Sequence, residues 1–206
     1  MAWALYDWAN SAFATTVMAG FFPTFFKQFW SVGADPTQST VRLGLANAVA
    51  GFAIALLAPV LGAIADRGGQ RKQFLLAWTA LGVLATAGLY FVGQGEWQLA
   101  VLLFVLGTMG FNGAIVFYDS MLLDVAQPSE FDRVSALGFS AGYLGGGLLF
   151  AFNVLLTLKP AWFGLSGPAA AVQLSFLSVA IWWLVFTVPL ARYVELRQVD
   201  APAPLG

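Results

Sequence analysis

Six apolar windows, each long enough to cross a lipid bilayer as a helix, constrain the fold more than any other feature of the chain. A helix rises about 1.5 Å per residue, so about 20 apolar residues cross the roughly 30 Å hydrocarbon core of a membrane. Each window has 19 to 25 residues. Because a membrane-embedded backbone must satisfy its own hydrogen bonds, the sequence predicts an all-α membrane protein, a bundle of six transmembrane helices. The predicted spans are 8–29, 43–65, 74–92, 99–118, 134–158 and 169–190.

The composition excludes several other classes of protein. The 206 residues are 60% hydrophobic and 9% charged, whereas soluble domains are roughly 45–50% apolar and about 25% charged. The net charge of −1 gives no basic surface for nucleic acid. The chain contains no Cys and no His, which excludes disulfides, thiolate metal sites and Ser–His–Asp triads. We therefore expect no enzyme activity, no metal and no cofactor, with the lipid bilayer as the main partner.

The loops between the windows are short, and they indicate the orientation of the chain. Residues 1–192 are predicted to form one transmembrane domain, and residues 193–206 a tail or the start of a linker. Cytoplasmic loops of membrane proteins carry an excess of Lys and Arg. One side carries six such residues and the other three, namely Arg67, Arg71, Lys72, Arg133, Arg192 and Arg197 against Lys27, Arg42 and Lys159. The sequence predicts a multi-pass protein with both termini in the cytoplasm.

A basic turn between the second and third spans is the sharpest motif in the chain. Its glycines allow a short reversal of the backbone. The Asp66 carboxylate can pair with Arg67 or Arg71, or lie at the positive end of a neighbouring helix. A turn that only fixes the topology is the alternative. The predicted gating residues are Gly62, Asp66, Arg67, Gly69, Arg71 and Lys72.

Polar side chains recur at helical spacing in the first and fourth spans. A carboxylate within a membrane span is costly and is therefore a functional candidate. A role for Asp7 at the start of its helix, or an ion pair of Asp119 with Arg71 or Lys72, is the structural alternative. The two faces consist of Asp7, Asn10, Ser11, Ala14 and Met18 in the first span and Thr108, Asn112 and Asp119 in the fourth. We name Asp7, Asn10, Asn112 and Asp119 as candidates for binding substrate or a proton.

Small residues in the fifth span predict close helix packing, because helices in lipid associate through contact of their backbones. The predicted packing residues are Gly138, Gly142, Gly145 and Gly146. Three lone polar residues within spans, Asn47, Asn153 and Gln173, are expected to hydrogen-bond between helices. The aromatic run 21–26 is expected to face lipid.

Three motifs together resemble a known family. The turn resembles the loop signature of the major facilitator superfamily, which Gly62, Ala65, Asp66, Arg67, Gly69, Arg71 and Lys72 match. Gln70 departs from the signature, where the family usually has a basic residue. The stretch 3–16 and the segments 132–135 and 142–147 are similar to the "unknown major facilitator" branch, which contains autophagy-linked vacuolar amino-acid effluxers and bacterial relatives. The resemblance covers essentially the whole chain.

The resemblance implies one half of a twelve-helix fold, with the substrate site between two six-helix halves. It implies a secondary active transporter of a small solute that works by alternating access, with efflux and amino acids as candidates, in a bacterial inner membrane. The missing partner is a C-terminal six-helix half, in the same chain or a separate subunit. A non-transporting scaffold that pairs with another six-helix protein is the alternative, and an intramembrane protease dyad is disfavoured because both acids lie near the ends of their spans. The inverted repeat of three helices that the resemblance implies is not visible in the sequence.

Overall fold

A computed structural model describes residues 1–66 and 70–195. Within these ranges the chain is helical and contains no strand. The six long helices are α1 (4–30), α2 (Pro36–Asp66), α3 (Arg71–Gly88), α4 (Trp97–Ser120), α5 (Phe131–Leu158) and α6 (Pro168–Tyr193). Four short helical turns join them, at Leu89–Phe91, Leu122–Val125, Pro128–Glu130 and Pro160–Phe163. This architecture confirms the predicted all-α class.

Helix α1 changes its winding along its length. It is α-helical over Ala4–Ala12, π-helical over Phe13–Phe21, α-helical over Phe22–Phe25 and π-helical again over Phe26–Trp30. A π-helix bonds residue i to i+5, so each turn holds more residues than an α-helical turn. Side chains that an α-helical count places on one face therefore separate after residue 13.

Five helices of the described chain are long and apolar enough to cross a membrane, and they correspond to α2 to α6. Helix α1 runs over a comparable stretch of residues, but its π-helical segments divide it. The assignment of residues 1–192 to a single six-helix domain remains a prediction.

The first three helices and the last three make equivalent contacts: most packing pairs are preserved when α1, α2 and α3 change places with α4, α5 and α6. Helix α1 packs against α5 and α6, and α4 packs against α2 and α3 in the same way. The third helices of the two sets, α3 and α6, pack against each other. A further contact joins α5 to α6. Apart from the contact of α5 with α6, this pattern is the one expected of the two three-helix units that make up each half of major facilitator transporters, a repeat that the sequence does not reveal.

The core contains two clusters, one towards each end of the bundle. One surrounds Trp30 and includes Phe22, Phe26, Phe104 and Phe176. Phe22 and Phe26 are fully buried, so the expectation that the aromatic run 21–26 faces lipid is wrong. Phe22 faces inward because it stacks on Phe104 and on Phe26, with ring centroids 4.0 Å and 5.7 Å apart, and packs at a tilt against Trp30 at 5.3 Å.

The second cluster lies at the other end and surrounds Tyr6. It includes Trp3, Leu75, Phe117 and Tyr118. Trp3 stacks on Tyr118 with ring centroids 4.3 Å apart, and its indole Nε1 donates to the main-chain oxygen of Tyr118 at 3.1 Å. This double contact fixes the start of α1 against the end of α4.

Polar contacts fix the helix ends and some of the helix pairs. Asp35 caps α2 by accepting the Thr37 backbone N–H at 2.7 Å, which lowers the pKa of the Asp35 carboxyl. Gln173 donates to the carbonyls of Tyr90 and Val92, which ties α6 to the end of α3.

The two lone asparagines differ from each other. Asn153 accepts the Ser178 hydroxyl at 2.9 Å and links α5 to α6. Asn47 is exposed and donates to Leu43 of its own helix, so for this residue the predicted contact between helices is absent from the described structure.

Candidate functional site

The start of α1 carries polar side chains on the side that faces α5. Asp7, Ser11 and Thr15 follow one another at four-residue spacing, about one helical turn apart. The Ser11 hydroxyl donates to Asp7 Oδ1 at 3.3 Å, which is long for a hydrogen bond between oxygens. The Thr15 hydroxyl donates to the carbonyl of Gly146 at 3.2 Å. The polar face therefore lies at the junction of α1 and α5.

Glycines of α5 allow α1 to approach at this junction. A Cβ at position 145 would lie 2.5 Å from the main-chain oxygen of Trp8, and one at position 142 would lie 2.6 Å from Ser11 Oγ. A larger residue would force the two helices apart, as is typical of glycine contacts in membranes. All four glycines that the sequence analysis names are buried, and each lies next to α1 or to Trp3, which directly precedes it: Gly138, Gly142, Gly145 and Gly146.

A cavity of about 270 Å³ opens between α1, α4 and α5 beside this face. From Asp7 it follows α1 for about two turns to Thr15. Its lining residues are Asp7, Ser11, Ala14, Thr15, Phe111, Ile115, Phe139, Gly142 and Tyr143.

A smaller cavity of about 100 Å³ adjoins the first and shares Asp7, Ile115 and Phe139 with it. Asp119 lines the smaller cavity. We call these two adjoining cavities the hollow: Asp7 lines both of them and Asp119 lines the smaller one.

The electrostatic character of this hollow is acidic. Two carboxylates line it, and no lysine or arginine is among the lining residues of either cavity. Within the described chain, the ion pair that the structure contains joins Arg71 to Asp124. It involves neither Asp7 nor Asp119. A positively charged group is therefore the natural complement of this surface.

The two candidate asparagines lie elsewhere. Asn10 is 1% exposed and lies in the core, where its amide bonds to none of the described residues. Asn112 donates to the Thr108 carbonyl of its own helix at 2.8 Å and lines neither part of the hollow. Met18, expected on the same face as Asp7, packs against the core cluster around Trp30.

The basic turn is described only in part, since residues 67–69 and the Asp66 side chain lie outside the described structure. Arg67 and Gly69 therefore receive no structural account. Position 62 faces open space, because a Cβ on Gly62 would meet no atom within 4 Å.

The other two gating candidates are fixed by contacts that the sequence analysis missed. Arg71 Nη1 lies 2.8 Å from Asp124 Oδ2, and its Nε donates to the carbonyl of Ala65. Lys72 Nζ donates to the Val194 carbonyl at 2.9 Å. Asp119 pairs with neither base in the described structure. Asp124 lies in the short turn after α4. The signal that could have identified it is its negative charge in a loop predicted to lie on the same side of the membrane as the basic turn.

A larger groove of about 570 Å³ runs between α5 and α6. Its lining is apolar except for Ser178, whose hydroxyl already donates to Asn153 and Ser175. Among the described residues, no three His, Cys, Asp or Glu side chains come together in a way that could hold a metal ion. The polar hollow beside Asp7 is therefore the candidate binding site.

The helical bundle, with its repeated three-helix contacts, is one half of a major facilitator fold. The family model described as "Vacuole effluxer Atg22 like" matches residues 36–130 and 124–204. The chain belongs to this family.

Curated relatives agree with this assignment. The chain is 40% identical over 95% of its length to an uncharacterised MFS-type transporter, YxiO, of Bacillus subtilis, and covers 46% of that protein. It is 29% identical to an uncharacterised protein of Aquifex aeolicus, over 88% of this chain and 43% of the other. It is 22% identical to autophagy-related protein 22 of Coccidioides immitis, over 98% and 48% respectively. The chain spans about half the length of these relatives, and no solved structure matches it.

Proposed function

We propose that the chain is the N-terminal half of a secondary active transporter that moves a small solute across a membrane by alternating access. The observation that carries this proposal is the hollow between α1, α4 and α5, where Asp7 and Asp119 face open space among apolar side chains. Carboxylates are rarely retained in membrane helices without a partner or a water-filled path. A scaffold that only pairs with another subunit has no need of such a hollow.

The second half of the transporter completes the site in this proposal. Relatives are about twice as long as this chain. The exposed face of α2, with Gly44, Gly51 and Phe52, is available for contact with another six-helix bundle. The names of the relatives favour export of the solute, and amino acids are one candidate. A bacterial plasma membrane, with both chain termini in the cytoplasm, is the proposed location.

The basic turn is the proposed gate. Arg71 links the end of α2, through the carbonyl of Ala65, to the turn after α4, through Asp124. Movement of α2 relative to α4 would have to break this link, so the link can stabilise one of the two alternating states. Asp66 is proposed to contribute to the same lock.

Reconstitution of the complete transporter tests the function. Proteoliposomes that contain this half joined to its second half should take up or release radiolabelled solutes against their gradient when a proton gradient is imposed. Asp7→Asn should abolish the movement, whereas Asp35→Asn, at an exposed helix cap, should leave it unchanged. Insertion of the complete protein without movement of any solute in a broad screen would favour the scaffold.

A further inference from the structure

We infer that the hollow beside Asp7 selects solutes that carry a positively charged amine close to an aromatic or apolar group. This inference rests on the proposed transport function and names the class of substrate that this half of the site would accept.

The charges around the hollow favour a cation. Asp7 lies at the boundary of the two cavities and Asp119 lines the smaller one, while no basic side chain lines either. Of the bases at this end of the bundle, Arg71 is engaged with Asp124 and Lys72 with the Val194 carbonyl, while Arg133 and Arg192 are exposed and line neither cavity. A carboxylate group of a solute would meet only like charge here, whereas an ammonium group would meet an acceptor.

The Asp7 carboxylate is available for such a contact. Its hydrogen bond from Ser11 is long, at 3.3 Å, and reaches only Oδ1. The residue is partly buried beside the apolar side chains of Ile115 and Phe139. Partial removal of water strengthens an ion pair relative to one on an open surface.

Aromatic rings line the space beyond the carboxylate. Phe111 is held in place by Phe13 and Trp183, with ring centroids 5.6 Å and 6.3 Å away. Tyr143 is 80% exposed and Phe139 is also exposed, so both rings can contact a solute in the cavity. Aromatic faces attract ammonium groups and also pack against apolar ones.

The shape of the hollow determines where the amine and the aromatic or apolar part of a bound solute lie. The cavity begins at Asp7, near the start of α1, and continues about 12 Å to Thr15. An amine at Asp7 therefore places the rest of the solute between Phe111, Phe139 and the hydroxyl of Thr15. Its volume of about 270 Å³ accepts a single aromatic ring with a short tether.

A matched pair of probes tests the inference. Phenethylammonium and 3-phenylpropionate have the same ring and a similar tether but opposite charge. Binding to the complete transporter, with this half joined to its second half, is measured in phosphatidylcholine nanodiscs by isothermal titration calorimetry at neutral pH, with empty nanodiscs subtracted. Phenethylammonium should bind at least about tenfold more tightly than 3-phenylpropionate, which corresponds to about 1.4 kcal/mol.

Three variants identify the source of the selectivity. Asp7→Asn keeps the shape of the side chain and should weaken phenethylammonium binding at least about tenfold. Tyr143→Leu alters an exposed ring, does not threaten folding, and should weaken binding of the amine more than that of the acid. Asp35→Asn, which keeps a capping side chain at the other end of the bundle, should change neither.

Equal binding of the two probes, or no binding of phenethylammonium at millimolar concentration, would overturn the inference. So would selectivity that survives Asp7→Asn. These outcomes differ from failure of the proposed function, because a complete transporter that moves a solute but binds both probes equally remains a transporter without amine selectivity.

Discussion

Gly145 of α5 lies directly against the backbone of Trp8 in α1: a Cβ at position 145 would be 2.5 Å from the Trp8 carbonyl oxygen. The same oxygen accepts the indole N–H of Trp182 at 3.2 Å, so α1, α5 and α6 meet at this point. Because a main-chain oxygen cannot rotate away, a side chain at position 145 has to separate the helices. This close contact positions the preceding residue of α1, Asp7, beside Gly142, about one turn earlier in α5.

We predict that Gly145→Ala destabilises the bundle, whereas Gly147→Ala does not. Overpacking typically costs about 1–3 kcal/mol, while a Cβ at position 147 would meet no atom within 4 Å. Thermal unfolding of the purified chain in detergent, followed by size-exclusion chromatography, should show an apparent melting temperature several degrees lower for Gly145→Ala. Equal melting temperatures for the two variants would contradict the close approach of α1 and α5.

The ion pair between Arg71 and Asp124 should contribute to stability as a unit. Both side chains are largely buried, at 12% and 9% exposure. Removal of one partner leaves a charge with little water around it, which costs about 3 kcal/mol or more for a buried pair. We expect Arg71→Gln and Asp124→Asn each to lower the melting temperature.

The double variant distinguishes the pair from two independent contacts. If the two residues stabilise the bundle as a pair, the double variant Arg71→Gln with Asp124→Asn should melt no lower than the less stable of the two single variants. Asp132→Asn, an exposed acid at the start of α5, serves as the control. Additive losses in the double variant would show that the two residues stabilise the bundle separately.

The sequence predicts the class of fold because the membrane leaves few choices. Helices of the required length are the only open-chain solution in lipid, and the apolar windows mark them. The pairing of those helices depends on contacts between distant residues, such as Trp8 with Trp182 or Gln173 with Tyr90. No local pattern specifies these contacts, so the equivalent packing of the first three and the last three helices is visible only in the structure.

The candidate site is predictable at Asp7 but not along the rest of α1. An α-helical count places Met18 on the same face as Asp7, and the π-helical winding from Phe13 onward moves Thr15 into the cavity and Met18 towards the core. Asn10 follows Asp7 by three residues, about one α-helical turn, and yet is buried in the core. Polar residues in a membrane helix thus indicate a site without fixing which of them line it.

Orientation in the membrane remains a prediction from the loops. Short loops rich in Lys and Arg stay in the cytoplasm. Reporter fusions should report the cytoplasm after Lys72, Asp132 and Arg197, and the opposite side near Pro36, Gln94 and Ser166. A consistent inversion would reverse the side to which the hollow beside Asp7 opens.

The last prediction concerns the dependence of solute binding on pH. Protonation of the Asp7 carboxyl removes its charge, so the apparent affinity of a complete transporter for a cationic solute should fall as the pH is lowered through the titration of this group. The polar groups that line the two cavities with it include Ser11 on its own helix, Tyr118 and Asp119 on α4, and Ser135 and Tyr143 on α5. Asp119 is the second acid that lines the hollow.

Two variants separate the acids. Asp7→Asn cannot ionise, so its affinity should be low and should no longer respond to pH. Asp119→Asn keeps the Asp7 carboxylate and should retain both tight binding and the pH response. Binding of a radiolabelled amine to proteoliposomes between pH 4 and pH 8 measures both. A pH response that persists in Asp7→Asn and disappears in Asp119→Asn would assign the titrating group to α4 and leave Asp7 with a structural role at the start of α1.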